Sequence, residues 1–110
     1  MALNETIKQA LLSVTQNVYL YTAKGNNEVP YVVYGVDGDN NLFGGNSRAE
    51  LADAGYIDLF TKSATDPLMK GIPAALDAAE VSFYLNSVQF EEETGLLHYE
   101  WRWECARRAV

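Results

Sequence analysis

The spacing of apolar residues predicts two amphipathic helices in separate parts of the chain. Residues 3–15 form the first, because apolar side chains recur there every three or four positions: Leu3, Ile7, Ala10, Leu11 and Val14. Residues 66–79 form the second, which begins with Asp66 as an N-cap and Pro67 at the first helical position. Because Pro73 lies inside the second pattern, we expect a kink or an early break there.

Runs of β-favouring residues predict strands before, between and after these helices. Residues 18–21 form a short edge strand or an extended lead-in, and Pro30 opens a strand over 31–36 that is apolar on both faces and therefore central. Residues 48–62 alternate like a third strand. Residues 81–92 and 96–107 predict a long hairpin around the turn 93–95, which ends in a glycine suited to positive φ.

The last strand of this hairpin has two chemically different faces. One face carries Tyr99, Trp101, Trp103 and Cys105, and the other carries His98, Glu100, Arg102 and Glu104. Such alternation is typical of a strand with one buried face. We therefore expect Trp101 and Trp103 to pack inward against Leu11 and Leu76 on the helices.

The segment 37–47 is polar and rich in turn-forming residues. It holds three glycines and three asparagines around two apolar side chains, Leu42 and Phe43. Ordering each residue costs about 1–2 kcal/mol of backbone entropy, so we expect a mobile loop in the monomer. Burial of Phe43 between subunits would recover roughly 1.5–3 kcal/mol, so the loop should become ordered on assembly. The predicted subunit-interface residues are Asp37, Asp39, Asn40, Asn41, Leu42, Phe43 and Arg48.

Together these elements predict one α+β domain over residues 1–110. Its expected order is α-β-β-β-α-β-β, with a mainly antiparallel sheet of four to five strands and the two helices packed on one face. The chain has 110 residues, of which 48% are hydrophobic and 12% aromatic, enough to build a core.

Charge and composition narrow the class of protein. The formal net charge is −7, which disfavours a monomer that grips nucleic acid. The first residues lack the pattern of a signal peptide, and no apolar stretch approaches the roughly 20 residues needed to span a bilayer. A single cysteine, Cys105, suits a reducing compartment, so we expect synthesis in the cytoplasm.

No constellation of residues predicts catalysis, a metal site or a cofactor. His98 is the only histidine, and Cys105 lies on the opposite face of the same strand, so the two cannot bind one metal ion. We expect His98 to be an ordinary surface residue. We accordingly expect no enzyme activity. Two alternatives stay open: a small ligand-binding or regulatory α+β domain in which Trp101 and Trp103 line a pocket, and, more remotely, a hydrolase centred on His98.

The layout resembles the tail-completion proteins of long-tailed bacteriophages, also called head–tail joining or tail-terminator proteins. The resemblance spans nearly the whole chain and is one of element order and hydrophobic rhythm. It is carried by the helix over 3–14, the strand over 30–34, the strand over 55–60, the helix over 66–79 and the closing strand over 97–103. Pro73 and the paired tryptophans depart from the usual pattern.

The resemblance implies a structural role in a phage or prophage virion. Members of this family form a hexameric ring between the head connector and the tail tube, and DNA passes through the lumen. The implied partners are further copies of the chain, the connector and tail-tube proteins, and the implied location is the virion, after synthesis in the bacterial host cytoplasm. The family has no catalytic residues to transfer. A minor tail or tail-tube protein is the alternative within the same class.

Overall fold

A computed structural model describes residues 5–25, 28–39 and 52–106 of the chain. Two helices and five strands follow one another in the order that the sequence predicts, α-β-β-β-α-β-β. Their bounds are α1 Glu5–Leu12, β1 Val18–Leu20, β2 Tyr31–Asp39, β3 Ala52–Thr61, α2 Leu68–Ala78, β4 Ser82–Glu91 and β5 Leu96–Ala106. Neither helix among the described residues is long and apolar enough to cross a membrane.

The five strands form one mixed sheet in the order β1-β2-β3-β5-β4. β1 pairs with β2 in parallel, and every other neighbouring pair is antiparallel. The predicted position of β2 inside the sheet is therefore confirmed. Of the two interpretations of residues 18–21, the edge strand is correct for Val18–Leu20. The other edge is β4, the first strand of the hairpin.

The helices and the sheet share one hydrophobic core, which confirms the predicted α+β layering. Every second residue of β3 is buried, as expected for a strand with one face against the helices. The buried cluster comprises Ile7, Ala10, Leu11, Val32, Tyr34, Ile57, Leu59, Leu68, Ile72, Leu76, Val81, Tyr99, Trp101 and Trp103. The sheet face toward the helices is called the inner face below, and the opposite face is called the outer face.

The start of α2 is fixed by Asp66, as the sequence predicts. One carboxylate oxygen accepts the backbone N–H of Leu68 at 2.8 Å, and the other accepts the hydroxyl of Thr61 at 2.7 Å. The first contact satisfies a helix N–H that has no partner within the helix, and the second ties the helix to the end of β3. Asp66 therefore sets the position of α2 against the sheet.

Of the two outcomes predicted for Pro73, an early break of α2 is wrong, and a kink stays a prediction. The helix continues from Leu68 to Ala78 with the proline inside it. Pro73 removes a single N–H from the helical ladder, whereas Ile72 and Leu76 on the same helix are completely buried. Packing of these two side chains holds the helix together across the missing hydrogen bond.

The polar segment 37–47 does not begin as a loop. β2 continues to Asp39, with Gly38 opposite Ala54 and Asp39 opposite Asp53 on β3, so residues 37–39 were wrongly assigned to the loop. The register shifts between Val36 and Gly38, which absorbs the extra residue as a bulge. The rest of the predicted loop, 40–47, and the predicted start of the third strand, 48–51, lie outside the described residues.

The terminal hairpin forms as predicted, with its turn at 92–95 closed by Gly95. This glycine has φ +73°, and its N–H donates to the carbonyl of Glu91 at 2.8 Å. Trp101 and Trp103 are only 3% and 2% exposed, and the indole N–H of Trp103 donates to the carbonyl of Tyr56 at 3.1 Å. The inward orientation of both tryptophans is confirmed. Trp103 also borders a cavity of about 330 Å³ that is lined by Phe83 and Tyr84, so the alternative in which a tryptophan lines a ligand pocket stays a prediction.

Candidate functional site

The predicted subunit-interface residues are only partly described. Asp37 lies in β2, where its carboxylate accepts two hydrogen bonds from the guanidinium of Arg102 at 2.9 and 3.0 Å. This bidentate ion pair links β2 to β5, while the Asp37 side chain stays 42% exposed, so its place in a subunit interface stays a prediction. Asp39 pairs through its backbone with Asp53. The remaining members, Asn40, Asn41, Leu42, Phe43 and Arg48, lie outside the described residues.

A row of stacked rings crosses the outer face of the sheet. Tyr31 stacks on Phe60 with ring centroids 4.8 Å apart, and Phe60 stacks on His98 at 4.3 Å. These three residues are direct neighbours across β2, β3 and β5. Cross-strand ring pairs of this kind stabilise a sheet, and here they fix the orientation of the imidazole.

His98 is held between two carboxylates. Its Nε2 lies 3.1 Å from Oδ1 of Asp58, and its Nδ1 lies 3.5 Å from Oε2 of Glu91. The Nε2 and Oδ1 atoms are shielded from solvent, but neither makes a well-aligned hydrogen bond, so their contact is chiefly an ion pair. The side chain of His98 is 21% exposed. The prediction of a plain surface histidine is therefore wrong, because the ring stack and both carboxylates enclose it.

The carboxylates favour the charged form of this histidine. The contact with Asp58 raises the pKa of His98, burial opposes this by lowering the pKa, and the charges of Asp58, Glu91 and Glu100 add to the rise, for a net increase above 6.5. A protonated imidazole has no free lone pair, so it is a poor general base. Cys105, the only cysteine, is on the opposite face of β5. The cluster is better suited to a structural ion pair than to nucleophilic catalysis.

The His98 cluster predicts that stability falls as the pH rises. A folded-state pKa above the unfolded value means that the contribution is complete below about pH 6.5 and is lost as the pH passes through the folded pKa. Between about pH 6 and pH 9, the wild type should lose more unfolding free energy than His98→Gln, by no more than about 1 kcal/mol because the pair is partly solvated. Urea denaturation of both proteins across this range measures the difference.

Two controls test whether the ion pairs of His98 cause this pH dependence. High salt should shrink the difference, since it screens the ion pairs. Gln89→Ala, an exposed position opposite His98 on β4, should follow the wild-type pH profile. Equal pH profiles for the wild type and His98→Gln would show that the carboxylates do not favour the imidazolium.

The two edges of the sheet carry the exposed large apolar residues. Among the described residues, these are Leu20 at 43% exposure, Tyr21 at 48%, Tyr84 at 60%, Leu85 at 50%, Val88 at 48% and Phe90 at 61%. The first two belong to the β1 edge, and the other four lie on β4. Apolar residues concentrated on edge strands, as here within the described part of the chain, are typical of a surface that contacts another chain.

Sequence reasoning missed the exposed edge of β4 because a bulge hides its pattern. The register shifts between Leu85 and Ser87, so Leu85 and Val88 face the same side although they are three positions apart. A strict period of two places them on opposite faces. The run Phe83, Leu85, Val88 and Phe90 becomes visible only when one residue is skipped at Asn86.

Comparisons with known proteins show the fold alone. No protein-family model matches the chain, and no curated protein matches it. Among solved structures, the chain is similar to a chain of the "Virion of native gene transfer agent (GTA) particle". The TM-score is 0.56 at 17% sequence identity, and the match covers 91% of this chain and 90% of that chain.

Proposed function

We propose that this protein is a structural subunit of a phage-like virion, and more specifically a tail-completion or head–tail joining subunit that forms a ring. The observation that carries the proposal is the fold match to a chain of a gene transfer agent virion, which extends over nine-tenths of both chains. The tail-completion role rests on the same order of elements that suggested that family from the sequence.

The exposed edges of the sheet support a role in assembly. A ring subunit must present apolar surface to its neighbours, and β4 exposes about half or more of the side chains of Tyr84, Leu85, Val88 and Phe90. β4 is an edge strand of ten residues, long enough to take part in pairing between chains.

The charge supports a conduit for DNA. Each copy carries a formal charge of −7, so a ring of copies is strongly acidic. A lumen lined by carboxylates repels phosphate and lets DNA slide through without binding. The proposed partners are therefore other copies of the chain and the connector and tail-tube proteins, with DNA only passing through.

The proposed role involves no catalysis. His98 pairs with Asp58 on β3 and Glu91 on β4, and these carboxylates stabilise the positive charge of the imidazolium. We assign it to the stability of the sheet. No cofactor or metal has a part in the proposal.

Electron microscopy of particles made without this protein tests the proposal. The gene is deleted in the host that produces the particles, and a plasmid copy restores it as a control. A joining subunit predicts filled heads and separate, complete tails in the deletion strain. Heads without any tails would instead indicate a tail-tube role, and normal infectious particles would contradict a structural role altogether.

A further inference from the structure

The two apolar edges of the sheet lie at the same levels along the strands. The pairing registers connect Leu20 to Tyr34, Ile57, Trp101 and finally Leu85, so one row of inner-face residues runs from edge to edge. The next inner-face row connects Val18 to Val32, Leu59, Tyr99 and finally Val88. Each row therefore ends in an aliphatic side chain at both edges.

The outer face has the same relation between the two edges. Tyr84 lies opposite Arg102, which lies opposite Tyr56, which lies opposite Gly35. The N–H of Tyr21 donates to the carbonyl of Tyr34, and the ring of Tyr21 lies over Gly35 beside Tyr56. A tyrosine thus ends this row at each edge.

We propose that β4 of one copy pairs with β1 of the next copy, so that identical subunits join head to tail through one continuous sheet. This inference rests on the proposed ring and identifies the surface that closes it. β1 runs parallel to β2 while β4 runs antiparallel to β5, and the intervening pairs are all antiparallel, so β1 and β4 point in opposite directions. A copy shifted sideways along the sheet therefore presents its β1 antiparallel to β4 of its neighbour.

The rows defined by the strand registers determine which side chains of neighbouring copies lie opposite one another. In this arrangement Leu85 of one copy faces Leu20 of the next, Val88 faces Val18, and Tyr84 comes beside Tyr21. These pairs put aliphatic groups together on the inner face and aromatic rings together on the outer face. Cross-strand pairs of both kinds are favourable.

Head-to-tail pairing also explains why the exposed apolar residues occur at both edges. An interface in which β4 pairs with β4 of a second copy would bury only one edge and leave Leu20 and Tyr21 exposed. A heterologous contact uses both edges of every copy, and it closes into a ring when the rotation between copies permits. The twist between neighbouring strands supplies a rotation of constant hand at each joint.

Disulfide trapping with mixed single-cysteine variants tests this pairing. Cys105→Ser removes the native thiol, and Leu20→Cys or Leu85→Cys is then added to separate chains. Neighbouring antiparallel strands place facing Cα atoms about 4.5–5.5 Å apart, within the range that a disulfide spans. Oxidation of the mixture should give at least about tenfold more crosslinked dimer than either variant alone.

Two controls keep the crosslink specific. Lys62→Cys, an exposed position outside both edges, should give no crosslink with Leu85→Cys. Circular dichroism of every variant checks that it is folded. A strong crosslink of Leu85→Cys with itself would instead show β4 pairing with β4 and would overturn the proposal.

Charged substitutions give a second, independent readout. Leu20→Glu and Leu85→Glu should each be monomeric in light scattering, because each blocks one edge. In their mixture, the intact β4 of Leu20→Glu can pair with the intact β1 of Leu85→Glu. The mixture should therefore form dimers and nothing larger. Full rings in either variant would overturn this assignment of edges without affecting the proposed function. The proposed pairing would also be overturned if the wild type were monomeric and the mixture of Leu20→Cys and Leu85→Cys gave no crosslink. The deletion experiment would still decide the proposed function.

Discussion

Trp103→Ala should lower the free energy of unfolding by about 3–5 kcal/mol, a large part of the total stability of a domain of this size. The side chain is 2% exposed and belongs to the same buried cluster as Leu11 and Leu76. Truncation leaves a cavity that rigid neighbours fill only partly. It also leaves the carbonyl of Tyr56 without its indole donor. Urea denaturation followed by circular dichroism measures the loss.

Two further variants separate burial from a general effect of mutating the hairpin. Trp103→Phe keeps an aromatic ring but loses the N–H, so it should lose less stability than Trp103→Ala. Gln89→Ala changes an exposed residue of β4 and should stay within about 0.5 kcal/mol of the wild type. A folded Trp103→Ala protein with unchanged stability would show that this side chain is not part of the core.

Gly55→Ala should cost about 2–3 kcal/mol, although it adds one methyl group. A Cβ at this position would come into steric conflict with the carbonyl oxygen of Gly35 and lie 2.6 Å from Cζ2 of Trp103. The obstacle at Gly35 is backbone from the neighbouring strand, which cannot move aside like the end of a flexible side chain. The sheet must therefore shift where β2 meets β3.

Gly38→Ala is the matched control for this substitution. It lies on the same pair of strands, but a Cβ there would meet the Cβ of Ala54 at 3.5 Å, an ordinary contact. Its stability should stay close to that of the wild type. Equal unfolding free energies for Gly55→Ala and Gly38→Ala would contradict the close approach of the backbone at Gly55.

Much of the fold could be predicted because the local signals agree with the packing. The alternation of Tyr99, Trp101 and Trp103 predicted the buried face of β5, and Asp66 predicted the start of α2. The early break predicted at Pro73 does not occur, because the burial of Ile72 and Leu76 outweighs a single missing hydrogen bond. Local propensity gives way to tertiary packing at that position.

The surroundings of His98 could not be predicted because they depend on neighbours that are distant in the chain. Phe60 and Asp58 lie on β3, and only the register between β3 and β5 brings them beside the imidazole. The polar composition of 37–39 suggested a loop, yet strand pairing with β3 extends β2 through these residues. Register between strands is set by the whole sheet and cannot be deduced from one strand alone.

The matching of the two edges is also a property of the whole sheet. Leu20 and Leu85 are far apart in the chain, and four successive strand pairings place them at the ends of one row. In the sequence, Leu20 and Leu85 each lie in a short apolar run, and neither run indicates that the two residues belong to one row. Their common level along the strands, and with it the proposed contact between copies, follows only from the registers.

Quantitative mass spectrometry of purified particles tests the central claim most directly. Particles from the host that encodes this chain are purified by density gradient, and peptides of the chain are counted against those of the major capsid protein. A ring subunit predicts that the chain purifies with the particles in a small, constant number of copies, as expected for one hexameric ring. Absence of the chain from intact, infectious particles would contradict a structural role in the virion.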